Sequence, residues 1–180
     1  PAVTAANISV TGASGIGGAF KIGDTVTATW NSTPGGDNND DIASVSVDFT
    51  EFGGGSSVSA SNSNGTWTAT YTIVAGSIDQ TSRNVTVTAT DTAGNGTSLE
   101  GSDDEAVDNI APTISAGAIS ISGQTGNPSN SVFKIGDTVT VRWNDTTGGD
   151  NNADTISSVT VDFSDFGGSA AVAASNSSGT

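Results

Sequence analysis

The sequence predicts an all-β fold of tandem antiparallel β-sandwiches, with the second sandwich incomplete in this chain. Three observations carry that expectation. A long stretch returns almost unchanged: FKIGDTVTATWNSTPGGDNNDD (Phe20 to Asp41) comes back as FKIGDTVTVRWNDTTGGDNNAD (Phe133 to Asp154). Apolar residues alternate with Thr and Ser in short runs, and clusters of Gly, Asn and Asp separate those runs. No segment shows helical periodicity with caps.

The repeat sets the domain boundaries. Trp30 matches Trp143, Phe49 matches Phe163 and Ser61-Asn62 matches Ser175-Asn176, with one extra residue in copy two after its acidic loop. Upstream, Pro1 matches Pro112 and Ile8-Ser-Val10 matches Ile119-Ser-Ile121. The first module is therefore residues 1–111, a usual domain size, and the second is residues 112–180. Copy two stops at Thr180, the counterpart of Thr66, so the chain reads as a window cut from a longer array.

The strands follow in order. Ile8 and Val10 alternate with Asn7, Ser9 and Thr11. Val26, Ala28 and Trp30 alternate with Thr25, Thr27 and Thr29. Val45, Val47 and Phe49 alternate with Ser44, Ser46 and Asp48. Trp67, Ala69, Tyr71 and Ile73 alternate with Thr66, Thr68, Thr70 and Thr72, and Val85, Val87 and Ala89 with Thr86, Thr88 and Thr90. Strands of this kind bury one face and solvate the other. Short strands near Val58 and Ala106 bring the count to about seven per module, as in an immunoglobulin-like sandwich. Another Greek-key sandwich with similar strands is the alternative. Trp30, Trp67 and Tyr71 lie in phase with the inward residues, which favours core packing over stacking on sugar rings.

Composition narrows the function classes. Nineteen acidic residues against four basic ones give a net charge of −15, which disfavours nucleic acid and anionic membranes as partners. No apolar run approaches the length of a membrane span. His and Cys are absent, removing the groups that dominate zinc binding and nucleophilic catalysis. Carboxylate pairs are present, but they sit in turn-rich loops duplicated with the module, so no enzymatic activity is expected. Cys-free, Lys-poor composition fits a bacterial extracellular protein.

Two acidic groups are candidate calcium (Ca2+) sites. In the loop after Gly35-Gly36, Asp37, Asn39 and Asp41 alternate, and Asp150, Asn152 and Asp154 repeat the pattern. Oxygen ligands on alternate residues can wrap one calcium ion. Asp40 becomes Ala153 in copy two, marking it as a bystander. The Gly and Glu positions of an EF-hand are missing. A solvated Asx-rich turn is the plain alternative. The second group, Asp91, Asn95, Asp103, Asp104, Glu105, Asp108 and Asn109, precedes Pro112. An ion there would stiffen the joint between modules, whereas without one the segment is a charged linker extended by self-repulsion.

The phrases GDTVTATW (Gly23 to Trp30), TVTATDTAGN (Thr86 to Asn95) and VDNIAPTI (Val107 to Ile114) together resemble the tandem bacterial Ig-like (cadherin-like) repeats of giant cell-surface and RTX-type adhesins. The resemblance spans essentially the whole chain. It implies a secreted extender at the cell surface, stiffened by calcium, whose partners are neighbouring repeats of the same chain. The family's junction ligands map onto Asp91, Asp108 and Asn109. A subunit of an extracellular filament or surface layer, exchanging strands with copies of itself, is the second expectation. A carbohydrate- or ice-binding module is a third, suggested by the Thr runs.

Overall fold

Alternating hydroxyl and apolar residues form strands throughout, and among the described residues the only helical elements are single 3-10 turns. The computed structural model describes residues 1–126 and 132–180, divided into units Pro1–Ala111 and Pro112–Thr180.

Unit 1 has eleven strands: β1 (Ile8–Thr11), β2 (Phe20–Lys21), β3 (Thr25–Asn31), β4 (Ile42–Asp48), β5 (Val58–Ser59), β6 (Ser61–Ser63), β7 (Thr66–Thr72), β8 (Asp79–Arg83), β9 (Thr86–Asp91), β10 (Gly96–Glu100) and β11 (Glu105–Asp108). One antiparallel sheet has the order β1-β3-β7-β6, and a second has the order β10-β9-β4-β5. A small third sheet, β2-β11-β8, pairs β2 parallel to β11. The register joins the second and third sheets. β9 and β10 pair as a hairpin from Thr90↔Gly96 to Thr86↔Glu100. The same two chain segments resume as β8 and β11, ending at Asp79↔Asp108.

Inward residues of both large sheets belong to one core. Ile8, Val10, Val26, Ala28, Trp30, Trp67 and Ala69 come from the first sheet; Val45, Val47, Val87 and Ala89 come from the second. Trp30 and Trp67 face each other across β3 and β7 and are both buried. Their in-phase positions therefore do mark core packing, and neither presents a face to a sugar. Phe52 turns into the same core from a 3-10 turn and meets Phe20 edge-on at 5.5 Å.

The strands anticipated from alternation are present. Four further ones, β2, β6, β8 and β10, give no such signal. β6, β8 and β10 lie at sheet edges and are largely exposed, so burial does not impose an apolar pattern on them.

A glycine fixes the turn after β1. Gly12 has φ of 120°, and a Cβ there would lie 2.0 Å from the Thr25 carbonyl oxygen. Gly123 repeats this against the Thr138 carbonyl oxygen at 1.9 Å, with φ of 108°. Gly12→Ala should therefore cost about 3 kcal/mol, combining strain with a forced backbone shift. At Gly94, where φ is 89° but no atom lies near, Ala should cost about 1 kcal/mol. Urea unfolding of the two variants measures the difference.

Unit 2 reproduces part of this arrangement with the same register. β12 (Ile119–Ser122) pairs β13 (Thr140–Trp143) through Ile119↔Trp143, as Ile8 pairs Trp30 in unit 1. β14 (Thr160–Val161) pairs β15 (Val172–Ala173) through Val161↔Val172, as Val47 pairs Val58. Phe133 and Phe166 meet edge-on at 5.4 Å, repeating the Phe20 and Phe52 contact.

Candidate functional site

The acidic loop follows β3, and its backbone curls back onto the end of that strand. Asn31 Oδ1 accepts from Thr33 N and Thr33 Oγ1, while Gly36 N and Asn38 N both donate to the Thr33 carbonyl. Asp37 N donates to the Asn31 carbonyl. Asn38 takes a left-handed φ of 51°, a conformation Asn tolerates well. The turn brings the Asp37 carboxylate within hydrogen-bond reach of the Trp30 indole N–H.

Four donors converge on that carboxylate. Oδ1 accepts from Thr4 Oγ1 at 2.6 Å and Asn7 Nδ2 at 2.7 Å; Oδ2 accepts from Thr4 N at 2.9 Å and Trp30 Nε1 at 2.6 Å. A carboxylate has about four lone-pair sites, so Asp37 is saturated by its own module. Asn39 acts beside it, accepting from Ala2 N at 2.8 Å and donating Nδ2 to the Ala2 carbonyl at 2.8 Å. Together they latch the entering segment, residues 2–7, onto the end of β3.

Unit 2 has the same latch. Asp150 accepts from Ser115 N, Ser115 Oγ and Trp143 Nε1, the last at 2.6 Å. Asn152 accepts from Thr113 N at 2.6 Å and donates to the Thr113 carbonyl at 3.0 Å. Asp145, which stands where unit 1 has Ser32, adds a carboxylate oxygen that receives Asn152 N and Nδ2. The oxygens that the calcium reading reserved for an ion at Asp37, Asn39, Asp150 and Asn152 are thus occupied by N–H and O–H donors. One sequence signal pointed this way: a hydroxyl residue, Thr4 or Ser115, stands three positions after the repeated Pro in both copies.

The remaining candidates serve different elements of their own units. Asp41 is exposed and offers its carbonyl to Thr92 N; Asp154 is half-buried at the end of the second loop. Asp91 accepts from Ala93 N, Asn95 N and Asn95 Nδ2, holding the tip of the β9–β10 hairpin. Asn109 is buried, and its Oδ1 accepts from Ile78 N at 2.8 Å, so it completes a strand end. Asp103 caps Val10 N, and Asp104 clasps the Asn84 side chain. Asp108 accepts from Ile110 N and lies opposite Asp79 across β11 and β8. Their carboxylate oxygens lie within 4.8 Å of each other.

One further carboxylate stands outside both acidic groups. Asp24, in the repeated Lys-Ile-Gly-Asp, is buried and accepts from Ser14 N, Ser14 Oγ, Lys21 N and Lys21 Nζ. Asp137 accepts from Thr125 N, Thr125 Oγ1 and Lys134 N in the same way. The signal was the fourfold identity of Lys-Ile-Gly-Asp between copies, outside any acidic cluster.

These contacts shape the titration. Burial pushes the Asp24 and Asp37 carboxyls up, but the hydrogen bonds from Ser14 and Lys21, and from Thr4 and Trp30, outweigh it and hold both below the usual carboxylate range. Asp150 is lowered by Ser115 and Trp143, and Asp137 is lowered to about 2 by Thr125 and Lys134. Depressed folded-state values mean that the unfolded chain binds protons first as the pH falls. The stability these groups contribute is complete above their ordinary value of 3.8 and is lost as the pH drops through the folded values. Glu105 has the opposite sign, since burial and neighbouring Asp103 raise it, but it is one group against several. Melting temperature should therefore stay level from neutral pH down to about 5 and fall steeply below about 4. Melts across that range, with Asp37→Asn showing a shallower acid limb, check this.

No family model, curated protein or solved structure matches the chain.

Proposed function

We propose that the chain is a non-catalytic extender: tandem immunoglobulin-like modules of a large extracellular bacterial adhesin, with calcium at the joints. The observation that carries this reading is where the chain enters and leaves unit 1. The Pro1 carbonyl accepts from Thr97 Oγ1, next to the tip of the β9–β10 hairpin. The chain leaves after Asp108, at the open end of the same long hairpin. Entry and exit are thus separated by the length of the module, roughly 30 Å at ~3.3 Å per residue. Each added module then lengthens the particle instead of folding it back.

The immunoglobulin-like reading is supported by strand order. Taking β8 with β9 and β10 with β11 as single strands, β1-β3-β7-β6 is the A-B-E-D order, with the C, F and G strands on the other sheet. Scattering from arrays of one, two and three modules tests the extender. Maximum dimension should grow by a constant increment per module, and arrays that collapse to compact particles would refute it.

For calcium, the fitting residues are Asp79 and Asp108 at the module's exit, in place of the acidic loops. Like charges directly opposite across two strands destabilise each other unless a cation is shared, and these two carboxylates supply part of the oxygen set calcium requires. Millimolar calcium should raise the melting temperature by several degrees, as expected for a ligand that binds only the folded state. Asp79→Asn with Asp108→Asn should abolish the increment and raise the calcium-free melting temperature. A chain indifferent to calcium and to EDTA would remove the ion from the proposal and leave the extender geometry intact.

A further inference from the structure

Unit 1 meets tension along the chain through two short segments, because its entry and exit lie at opposite ends. On the entry side, Asn39 exchanges two hydrogen bonds with Ala2, and Asp37 receives Thr4 N, Thr4 Oγ1 and Asn7 Nδ2. β1 follows, paired antiparallel with β3 from Ile8↔Trp30 to Thr11↔Thr27. On the exit side, β11 lies between β8, antiparallel through Asp108↔Asp79, and β2, parallel through Val107↔Phe20 and Asp108↔Lys21. Asn109 comes next and is 2% exposed. Its backbone N donates to the Ile78 carbonyl at 2.8 Å, and its own carbonyl accepts from Gly76 N at 2.9 Å. Its Oδ1 accepts from Ile78 N at 2.8 Å. The side chain closes on Gly76, where a Cβ would lie 2.7 Å from Nδ2.

We infer that unit 1 is a force-bearing module whose resistance to stretching is set by two pins, Asp37 with Asn39 at the entry and Asn109 at the exit. β2 and β11 run in the same direction, toward the exit. Tension pulls the first backward through Pro1 and the last forward through Ile110, so this pair is drawn in opposite directions along its own length. Ladder hydrogen bonds stand across the strands. Such a pull therefore shears them together and cannot unzip them one at a time. β1 against β3 and β11 against β8 are loaded in the same sense. A sheared strand moves only when its loaded end is freed, and those ends are what the pins hold. Forced unfolding follows the rate of unfolding, not the total stability. Bonds at the two points where tension enters thus count for more under load than their share of equilibrium stability. β4 and β9, in the interior of the chain, take load only after a terminal segment has moved. The inference rests on the extender reading for the source of tension, while the pins and their direction of loading come from the registers.

The test holds the full 180-residue chain by its two termini in optical tweezers and stretches it at constant speed. Unit 1 is recognised by a lengthening of roughly 350 Å, the contour of residues 1–111 less the folded length. The two ends carry the same tension, so the weaker pin sets the force. At least one of Asn109→Ala and Asn39→Ala should lower the mean unfolding force about 1.5-fold or more. Asn39 is only half-buried, which keeps a foldable variant in the series. Val47→Ala, a core truncation on β4, should lower the melting temperature at least as much as Asn39→Ala yet change the force by less than about 1.2-fold. Force losses that track melting temperature across the three variants would overturn the inference, since the pins would then act only through overall stability. So would both pin variants opening at the wild-type force. Either failure leaves the scattering increment per module untouched. Arrays that collapse in scattering would remove the source of tension without changing these forces, so the two proposals fail separately.

Discussion

Trp30→Ala is expected to unfold unit 1 or bring it to the edge of unfolding. The indole is 1% exposed, packs between both large sheets, and donates Nε1 to Asp37. Truncation leaves a cavity costing about 3–5 kcal/mol and removes one donor from a carboxylate built to receive four. Against a total stability of about 5–15 kcal/mol, that is a large share. The melting temperature of unit 1 should fall by roughly 20 °C or more. Trp67→Phe provides the contrast. Trp67 Nε1 is buried with no hydrogen-bond partner among the described residues, so losing it removes an unpaired polar atom. That variant should be the mildest of the aromatic replacements. Calorimetry resolving the two units separates these outcomes, and Trp143→Ala should shift unit 2 less because Trp143 is only half-buried.

Asp37→Ala comes next in size. It leaves Trp30 Nε1, Thr4 N, Thr4 Oγ1 and Asn7 Nδ2 without their acceptor and frees the entering segment from the end of β3. The expected cost is about 3 kcal/mol, since the donors of buried Trp30 and half-buried Asn7 lose a charged partner and the Thr4 latch opens. Three residues away, exposed Asp40→Ala should stay within about 0.5 kcal/mol. Calcium discriminates the two accounts of this loop. If Asp37 were an ion ligand, EDTA would reproduce the loss even in a chain carrying Asp79→Asn and Asp108→Asn. If it is a latch, the loss appears only on mutation and is the same with and without calcium.

Asp37 also shows why the loop was half legible. The alternation of Asp37, Asn39 and Asp41 and its return in copy two were visible as a pattern, and oxygen-rich alternation suits an ion. What completes the site is the segment from Ala2 to Asn7, distant in sequence from Asp37 and bearing no acidic signature. Asp24 was missed for the related reason that a lone carboxylate among Lys, Ile and Gly looks like an ordinary turn. Its neighbour Ser14 becomes a partner only after the chain reverses between β1 and β2. Asn109 resembled a linker ligand, yet tertiary packing buries it against Ile78.

By itself, the sequence determined the all-β class, the repeated unit, the inward face of each principal strand and the core roles of Trp30 and Trp67. All of these rest on local periodicity, which the alternation of side chains across a strand writes directly into the residue order. Only the tertiary structure decided which strands neighbour one another, that β2 runs parallel to β11, and that the chain enters and leaves unit 1 at opposite ends. It alone decided which donors fill each carboxylate. Edge strands such as β8 and β10 bury too little to leave a pattern, and hydrogen-bond partners are chosen by proximity in space, which a repeat can mark but not specify.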